Sequence, residues 1–134
     1  FSETQLFYDH GFNVIDGTLI EENDEYILFL KDETVHPPEK NIRIATSNEL
    51  TGNYSNPSEP ITGDYWAEGP TPIKLDEYWI VYFDKYRLNK IGAVRSKDLI
   101  NWEDISDQLS FPKGTRHGTV FKVKNDLING LRSL

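Results

Sequence analysis

Three residues able to move protons recur at nearly even spacing along the 134-residue chain, each followed by glycine. Asp16-Gly17, Glu68-Gly69 and His117-Gly118 are separated by 52 and 49 residues. Two carboxyl groups and an imidazole brought to one place suit glycoside hydrolysis. An inverting reaction uses a protonated acid on the leaving oxygen and a carboxylate that activates water on the far face of the sugar. The acid must keep its proton near neutral pH, which a neighbouring carboxylate and partial burial both favour. The glycines remove side-chain bulk where backbones crowd. Taken singly, Asp16 and Glu68 also read as turn acids at strand starts. Three polar residues in register, with Trp66 beside one of them, favour the functional reading.

Such spacing needs a repeating scaffold. Residues 12–19, 26–30, 42–46, 78–83, 91–95 and 118–123 are short runs rich in β-branched or aromatic residues, which predicts strands. Turn formers separate them: Glu22-Asn23-Asp24, His36-Pro37-Pro38, Gly52-Asn53, Asn56-Pro57 and Lys113-Gly114. Residues 125–134 fit a short helix or a terminal strand. Asp24-Glu25-Tyr26 and Asp76-Glu77-Tyr78 each begin a hydrophobic run. Ala45-Thr46-Ser47-Asn48-Glu49-Leu50 is answered by Val94-Arg95-Ser96-Lys97-Asp98-Leu99, and the aromatics Tyr54 and Trp102 follow. Four strands in a unit of about 50 residues describe a propeller blade; a β-sandwich with accidental similarity is the alternative.

The predicted fold is all-β, a partial β-propeller of about two and a half four-stranded antiparallel blades. Residues 1–134 form one partial propeller domain. Residues 1–9 are the outer strand of a preceding blade, 12–61 and 65–109 are full blades, and 115–134 start a further blade. Innermost strands line a propeller's channel, so Asp16, Glu68 and His117 should meet at one of its mouths. Open blade edges invite pairing; the expected partners are missing propeller blades or a second copy of the chain.

Composition narrows the function classes. The net charge of −8 repels phosphate backbones, so nucleic acid is excluded as a partner. No apolar run approaches the ~18 residues of a membrane span. With no Cys, disulfides, thiolate metal sites and a Cys nucleophile are excluded. The seven Phe, seven Tyr and three Trp suit β-strands and sugar-binding surfaces alike. The chain has no Met, begins at Phe1 within a strand-like run and shows no signal-peptide pattern, so a processed or excerpted segment of a longer protein is expected.

The motifs Val14-Ile15-Asp16-Gly17, Ala67-Glu68-Gly69-Pro70, Ser96-Lys97-Asp98-Leu99-Ile100-Asn101-Trp102 and Arg116-His117-Gly118-Thr119-Val120, in this order and at blade spacing, resemble glycoside hydrolase family 43. Leu28-Phe29-Leu30-Lys31-Asp32-Glu33 adds to the likeness, which runs over residues 12–123. The resemblance implies a five-bladed propeller and an inverting, exo-acting enzyme for arabinofuranosyl or xylosyl linkages of plant cell-wall polysaccharides. It implies that Glu68 is the general acid and that Asp16 raises its pKa and orients it. It makes His117 the fifth-blade histidine near the channel centre, beside a bound calcium or its waters. No cofactor is required; one calcium ion is the optional addition that the resemblance allows. The family's general base is a first-blade Asp, and no residue here takes its place; Asp9, in an outer strand, is poorly placed to do so. The substrate class implies a secreted or periplasmic protein.

Further candidates surround these. Trp66 suits a sugar-stacking platform or the core. Arg116 suits a grip on a sugar hydroxyl or carboxylate, or a salt bridge to a blade acid. Lys31, Asp32 and Glu33 line the site's mouth or form a solvated turn, with the turn favoured. Trp79 reads as packing, Trp102 as closing the blade's outer turn, and His10 and His36 as surface residues. His117 would touch a metal only through its water shell. No phosphate-binding glycine loop, nucleophile elbow or zinc spacing is present. Two other classes remain: a non-catalytic carbohydrate-binding or truncated propeller fragment lacking the base, and a structural interaction module.

Overall fold

The structure is a computed structural model that describes residues 3–132. It contains two antiparallel sheets. The first runs β1 (Val14–Glu22), β2 (Glu25–Asp32) and β3 (Asn41–Ser47) in sequence order. The second runs β4 (Glu68–Leu75), β5 (Tyr78–Lys85), β6 (Lys90–Ser96) and the short β7 (Glu103–Asp104). Simple meanders of this kind need only tight turns. At the β1–β2 turn Asn23 and Asp24 both take positive φ, 54° and 62°, as two-residue hairpins prefer.

The predicted fourth strand of the first blade takes another form. Residues 55–61 run beside β3, but only every third amide reaches it: Ser55 N–H to Thr46 O, Ser58 N–H to Ile44 O and Ile61 N–H to Ile42 O, each 2.8 Å. The amides of Thr46, Ile44 and Ile42 donate in return to the hydroxyls of Ser55, Ser58 and Thr62, at 3.0, 3.0 and 3.2 Å. Pro57 and Pro60 have no N–H to give a regular ladder. The serine and threonine hydroxyls satisfy the edge of β3 instead.

The core lies between the sheets. Ile27 and Phe29 of β2, with Ile42 and Ile44 of β3, pack on Val81 and Phe83 of β5 and Val94 of β6. The alternate residues Leu28 and Leu30 face the other way, onto Tyr8, Phe12 and Tyr54. With both faces covered, β2 is continuously hydrophobic rather than alternating. Beyond β6, the Asp98 carboxylate accepts from the amides of Ile100 and Asn101 and from the Ser96 hydroxyl, which holds the acid well below its usual range. That turn sets Trp102 edge-on to Phe29, with centroids 6.3 Å apart, so Trp102 closes the blade as expected. Trp79 is buried, and His10 and His36 are exposed.

Other expectations differ from the structure. Residues 118–123 form no strand, because strands are made by pairing and this run has no neighbour to pair with. Residues 3–9 carry no strand either; the remainder of the predicted 1–9 strand lies outside the described residues. The ambiguous C-terminal stretch is helical over α1 (Asn125–Arg132).

Candidate active site

Both β1 and β4 begin with a bulge. The register slips between Ile15 and Thr18 against β2, and between Glu68 and Thr71 against β5. Asp16 (φ 52°) and Gly69 (φ 63°) occupy the left-handed step of their bulges. Asp16 is therefore the counterpart of Gly69, and Glu68 of Ile15. This corrects the sequence alignment, which paired Asp16 with Glu68, by one residue. Aspartate is one of the few residues with a side chain that enters the left-handed region readily, so the two bulges reach the same geometry with different residues. The slip still brings the acids together: Asp16 Oδ2 accepts from the Gly69 amide at 3.1 Å, directly beside Glu68.

His117 stands over Gly69. A Cβ there would lie 2.8 Å from His117 Nδ1, so the missing side chain is what admits the imidazole. From that position His117 Nε2 lies 2.9 Å from Glu68 Oε1 and 3.6 Å from Asp84 Oδ2. Asp16, Gly69 and His117 line one open groove. The structure thus gathers all three residues selected from the sequence.

Lys31 is the largest correction among the flanking candidates. The sequence favours a solvated turn for Lys31, Asp32 and Glu33, yet Lys31 is 2% exposed. Its ammonium lies 3.0 Å from Glu68 Oε2 and 2.7 Å from Glu33 Oε2. Glu33 also pairs with Lys40 at 2.5 Å. Burial alone would lower the Lys31 pKa, but hydrogen bonds to Glu33 and Glu68 outweigh it and raise the value. Hydrogen bonds from Lys31 and Lys40 hold the Glu33 carboxyl below its ordinary range. Asp32 is buried and pairs with Arg43 at 3.1 Å.

Sequence reasoning missed Asp84. Its side chain is fully buried, its Oδ1 has no partner, and its Oδ2 pairs with Arg116 Nε at 2.5 Å. Arg116 thus takes the salt bridge to a blade acid, one of its two predicted roles. The available signal was an acid directly after the core run Val81-Tyr82-Phe83. Lys40, Glu33, Lys31, Glu68, His117, Asp84 and Arg116 form one continuous chain of alternating partners.

The same latch joins successive units. Thr18 Oγ1 donates to Pro70 O at 2.8 Å, and Thr71 Oγ1 donates to Gly118 O at 2.9 Å. Lys31 on β2 pairs with Glu68, and its counterpart Asp84 on β5 pairs with Arg116, with the charges exchanged. Trp66 is half-buried, with Arg87 stacked 3.8 Å from its ring centroid and Tyr86 at 5.8 Å.

Glu68, Asp84 and His117 place one ligand atom each within 4.8 Å of one another, and the orphaned Asp84 Oδ1 adds a free acceptor. Calcium takes about six to eight oxygen ligands. Two carboxylates already matched by Lys31 and Arg116 do not make such a cage.

Two repeated antiparallel blades, latched at bulged inner strands that carry carboxylates, with a histidine from the following run beside them, define part of a β-propeller of the glycoside-hydrolase type. The chain belongs to the family-43-related family described as "Probable glycosyl hydrolase domain", whose sequence model matches residues 1–128. No curated protein matches the chain. Among solved structures, it is similar to a family-43 β-xylosidase/α-arabinofuranosidase from a compost microbial metagenome. The TM-score is 0.58 at 13% identity, over 72% of this chain and 35% of that one. A thermostable family-43 glycoside hydrolase gives TM-score 0.53 at 18% identity, covering 75% and 39%. A family-32 β-fructofuranosidase from Bombyx mori gives 0.56 at 20% identity, covering 73% and 24%. At these identities the likeness is one of fold. The chain spans well under half the length of each of these proteins.

Proposed function

We propose that the chain is the acid-bearing segment of an inverting glycoside hydrolase acting on arabinofuranosyl or xylosyl linkages of plant cell-wall polysaccharides. The observation that carries this reading is the meeting of three groups: Asp16 and Glu68 at the bulged starts of β1 and β4, joined through the Gly69 amide, and His117 at 2.9 Å from Glu68. Glu68 protonates the leaving oxygen. His117, at 2.9 Å, is its proton partner on one side. Asp16 acts beside it by fixing the Gly69 amide, and with it the Glu68 main chain. The base would be a further carboxylate about 6.5–9.5 Å from Glu68, leaving room for the attacking water; missing blades or a second copy are the proposed source. Arg116 supports the site through Asp84, and Trp66 borders it. No step of this proposal runs through a calcium ion. The substrate class favours a secreted or periplasmic setting; no described helix is long and apolar enough to cross a membrane.

Hydrolysis of chromogenic arabinofuranosides and xylosides tests the reading. Glu68→Gln should abolish turnover. Asp16→Asn keeps an acceptor for the Gly69 amide but removes the charge, and should cut the rate by about 10²-fold or more. Unchanged rates in either variant would remove that residue from the mechanism. Sugar binding without turnover would instead favour a non-catalytic carbohydrate-binding fragment.

A further inference from the structure

Linked to the candidate acid through a series of side-chain contacts is a cation that no acid matches among the described residues. Lys31 and Lys40 share Glu33, and Lys31 also meets Glu68. Arg87, in the β5–β6 turn, is different. It is exposed, and no carboxylate pairs with it among the described residues. Its guanidinium sits over Trp66, with Cζ 3.8 Å from the ring centroid. The indole is itself held by the Tyr86 ring, whose face receives the Lys31 ammonium at 4.7 Å. Arg87, Trp66, Tyr86, Lys31 and Glu68 therefore form an unbroken set of contacts that ends on the candidate acid.

Stacking on an indole orients a guanidinium and leaves its N–H edge free. Such an edge matches the two oxygens of a carboxylate in a bidentate pair. In a chain of net charge −8, general attraction for anions is absent, so an unpaired Arg held by stacking acts locally. The covered face of Trp66 is also unavailable to a sugar ring, which shifts recognition there from stacking to charge.

We propose that Arg87, mounted on Trp66, binds the carboxylate of a uronic acid unit next to the linkage presented to Glu68. The preferred substrate is then an acidic, uronate-bearing oligosaccharide rather than a neutral one. This rests on the reading of Glu68 as the acid and narrows its substrate class.

Calorimetric titration of the chain with xylo-oligosaccharides of equal length tests it, one carrying a uronate branch, one neutral and one sulfated. At low salt the uronate-bearing ligand should bind about tenfold tighter than the neutral one, and the gap should narrow as salt rises. Arg87→Leu should erase the gap and leave neutral binding intact. Arg87→Lys should keep only part of it, since an ammonium lacks the planar fork. Equal affinities for uronate and neutral ligands would overturn the proposal while leaving hydrolysis of neutral substrates, lost in Glu68→Gln, to stand. A preference that survives Arg87→Leu would overturn it too. Equally tight binding of the sulfated ligand would overturn the carboxylate assignment.

Discussion

At the residue scale, the candidate acid is defined as much by its cations as by its neighbouring carboxylate. Lys31 is buried between Glu33 and Glu68, and a buried ammonium is tolerable only because both acids meet it. Lys31→Met would leave Glu33 and Glu68 each short of a donor, though Glu33 keeps Lys40 and Glu68 keeps His117. The expected loss is about 2 kcal/mol by urea unfolding. Lys31→Met combined with Glu68→Gln should recover part of it, with a coupling of about 1 kcal/mol. The pH dependence follows from the directions of the shifts. Glu33 is lowered, so its contribution is complete above its ordinary value of 4.5 and is lost as pH falls through its folded value. Lys31 is raised, so its contribution is complete below 10.5 and is lost as pH rises through its folded value. The cluster is thus fully stabilising across neutral pH. Between about pH 7 and about pH 3 the unmodified chain should lose more stability than Lys31→Met. An equal loss in both would detach Glu33 from the acid limb. Asp16, Glu68 and His117 are legible in the sequence because each precedes a glycine and recurs. Lys31 and Asp84 are not, because a charge ending a hydrophobic run looks the same whether it meets solvent or an ion-pair partner from another strand.

At the element scale, the bulge is the device that makes the site. It lets Asp16 turn back onto the Gly69 amide and opens the space that His117 fills. The two glycines following the acids are therefore not equivalent. Gly69 has φ 63°, and a Cβ there meets His117 Nδ1 at 2.8 Å. A Cβ on Gly17 meets only Leu28 Cδ1, at an ordinary 3.5 Å. Gly69→Ala should cost about 1–2 kcal/mol from backbone strain and push the imidazole away from Glu68, while Gly17→Ala should stay within about 0.5 kcal/mol. Urea midpoints and the His117 ring resonances separate the two; equal midpoints would deny the bulge its special conformation. The central strands were readable because β2, β3, β5 and β6 are hydrophobic and rich in β-branched or aromatic residues. The run Glu68–Leu75 was recognised only at its start, since Pro70 and Pro72 argue against a strand. It survives as β4 because it is an edge strand, where proline is allowed. The bulge offset could not be read, as it depends on which residue bears the left-handed step.

At the scale of the whole molecule, the repeat shows which surface lacks its cover. The bulges align Thr18 with Thr71, Ile27 with Ile80, Phe29 with Tyr82 and Lys31 with Asp84. On the first sheet this face packs against the second sheet, leaving Ile27 1% and Phe29 0% exposed. On the second sheet Ile80 and Tyr82 are only half-buried. Tyr82 is covered by Phe111, edge-on at 6.1 Å, and by the irregular run of residues 115–120, with a small cavity beneath it. The threonine latch to Gly118 and the Asp84–Arg116 pair already hold that run where β4 lies in the preceding unit. What it lacks is a strand to pair with, and the sequence could signal the strand's composition but not its partner. Beyond it Phe121, Leu127 and Leu131 are 70%, 55% and 64% exposed, an apolar rim that association would cover. The chain is therefore expected to self-associate through the outer face of the second sheet when no further blade is supplied. Sedimentation velocity should show species larger than a monomer that grow with concentration. Ile80→Lys should return the chain to a monomer with an unchanged circular dichroism spectrum, because the substitution places a charge on the open face rather than in the core between the sheets. A monodisperse monomer at every concentration would mean that residues 111–120 already satisfy that face.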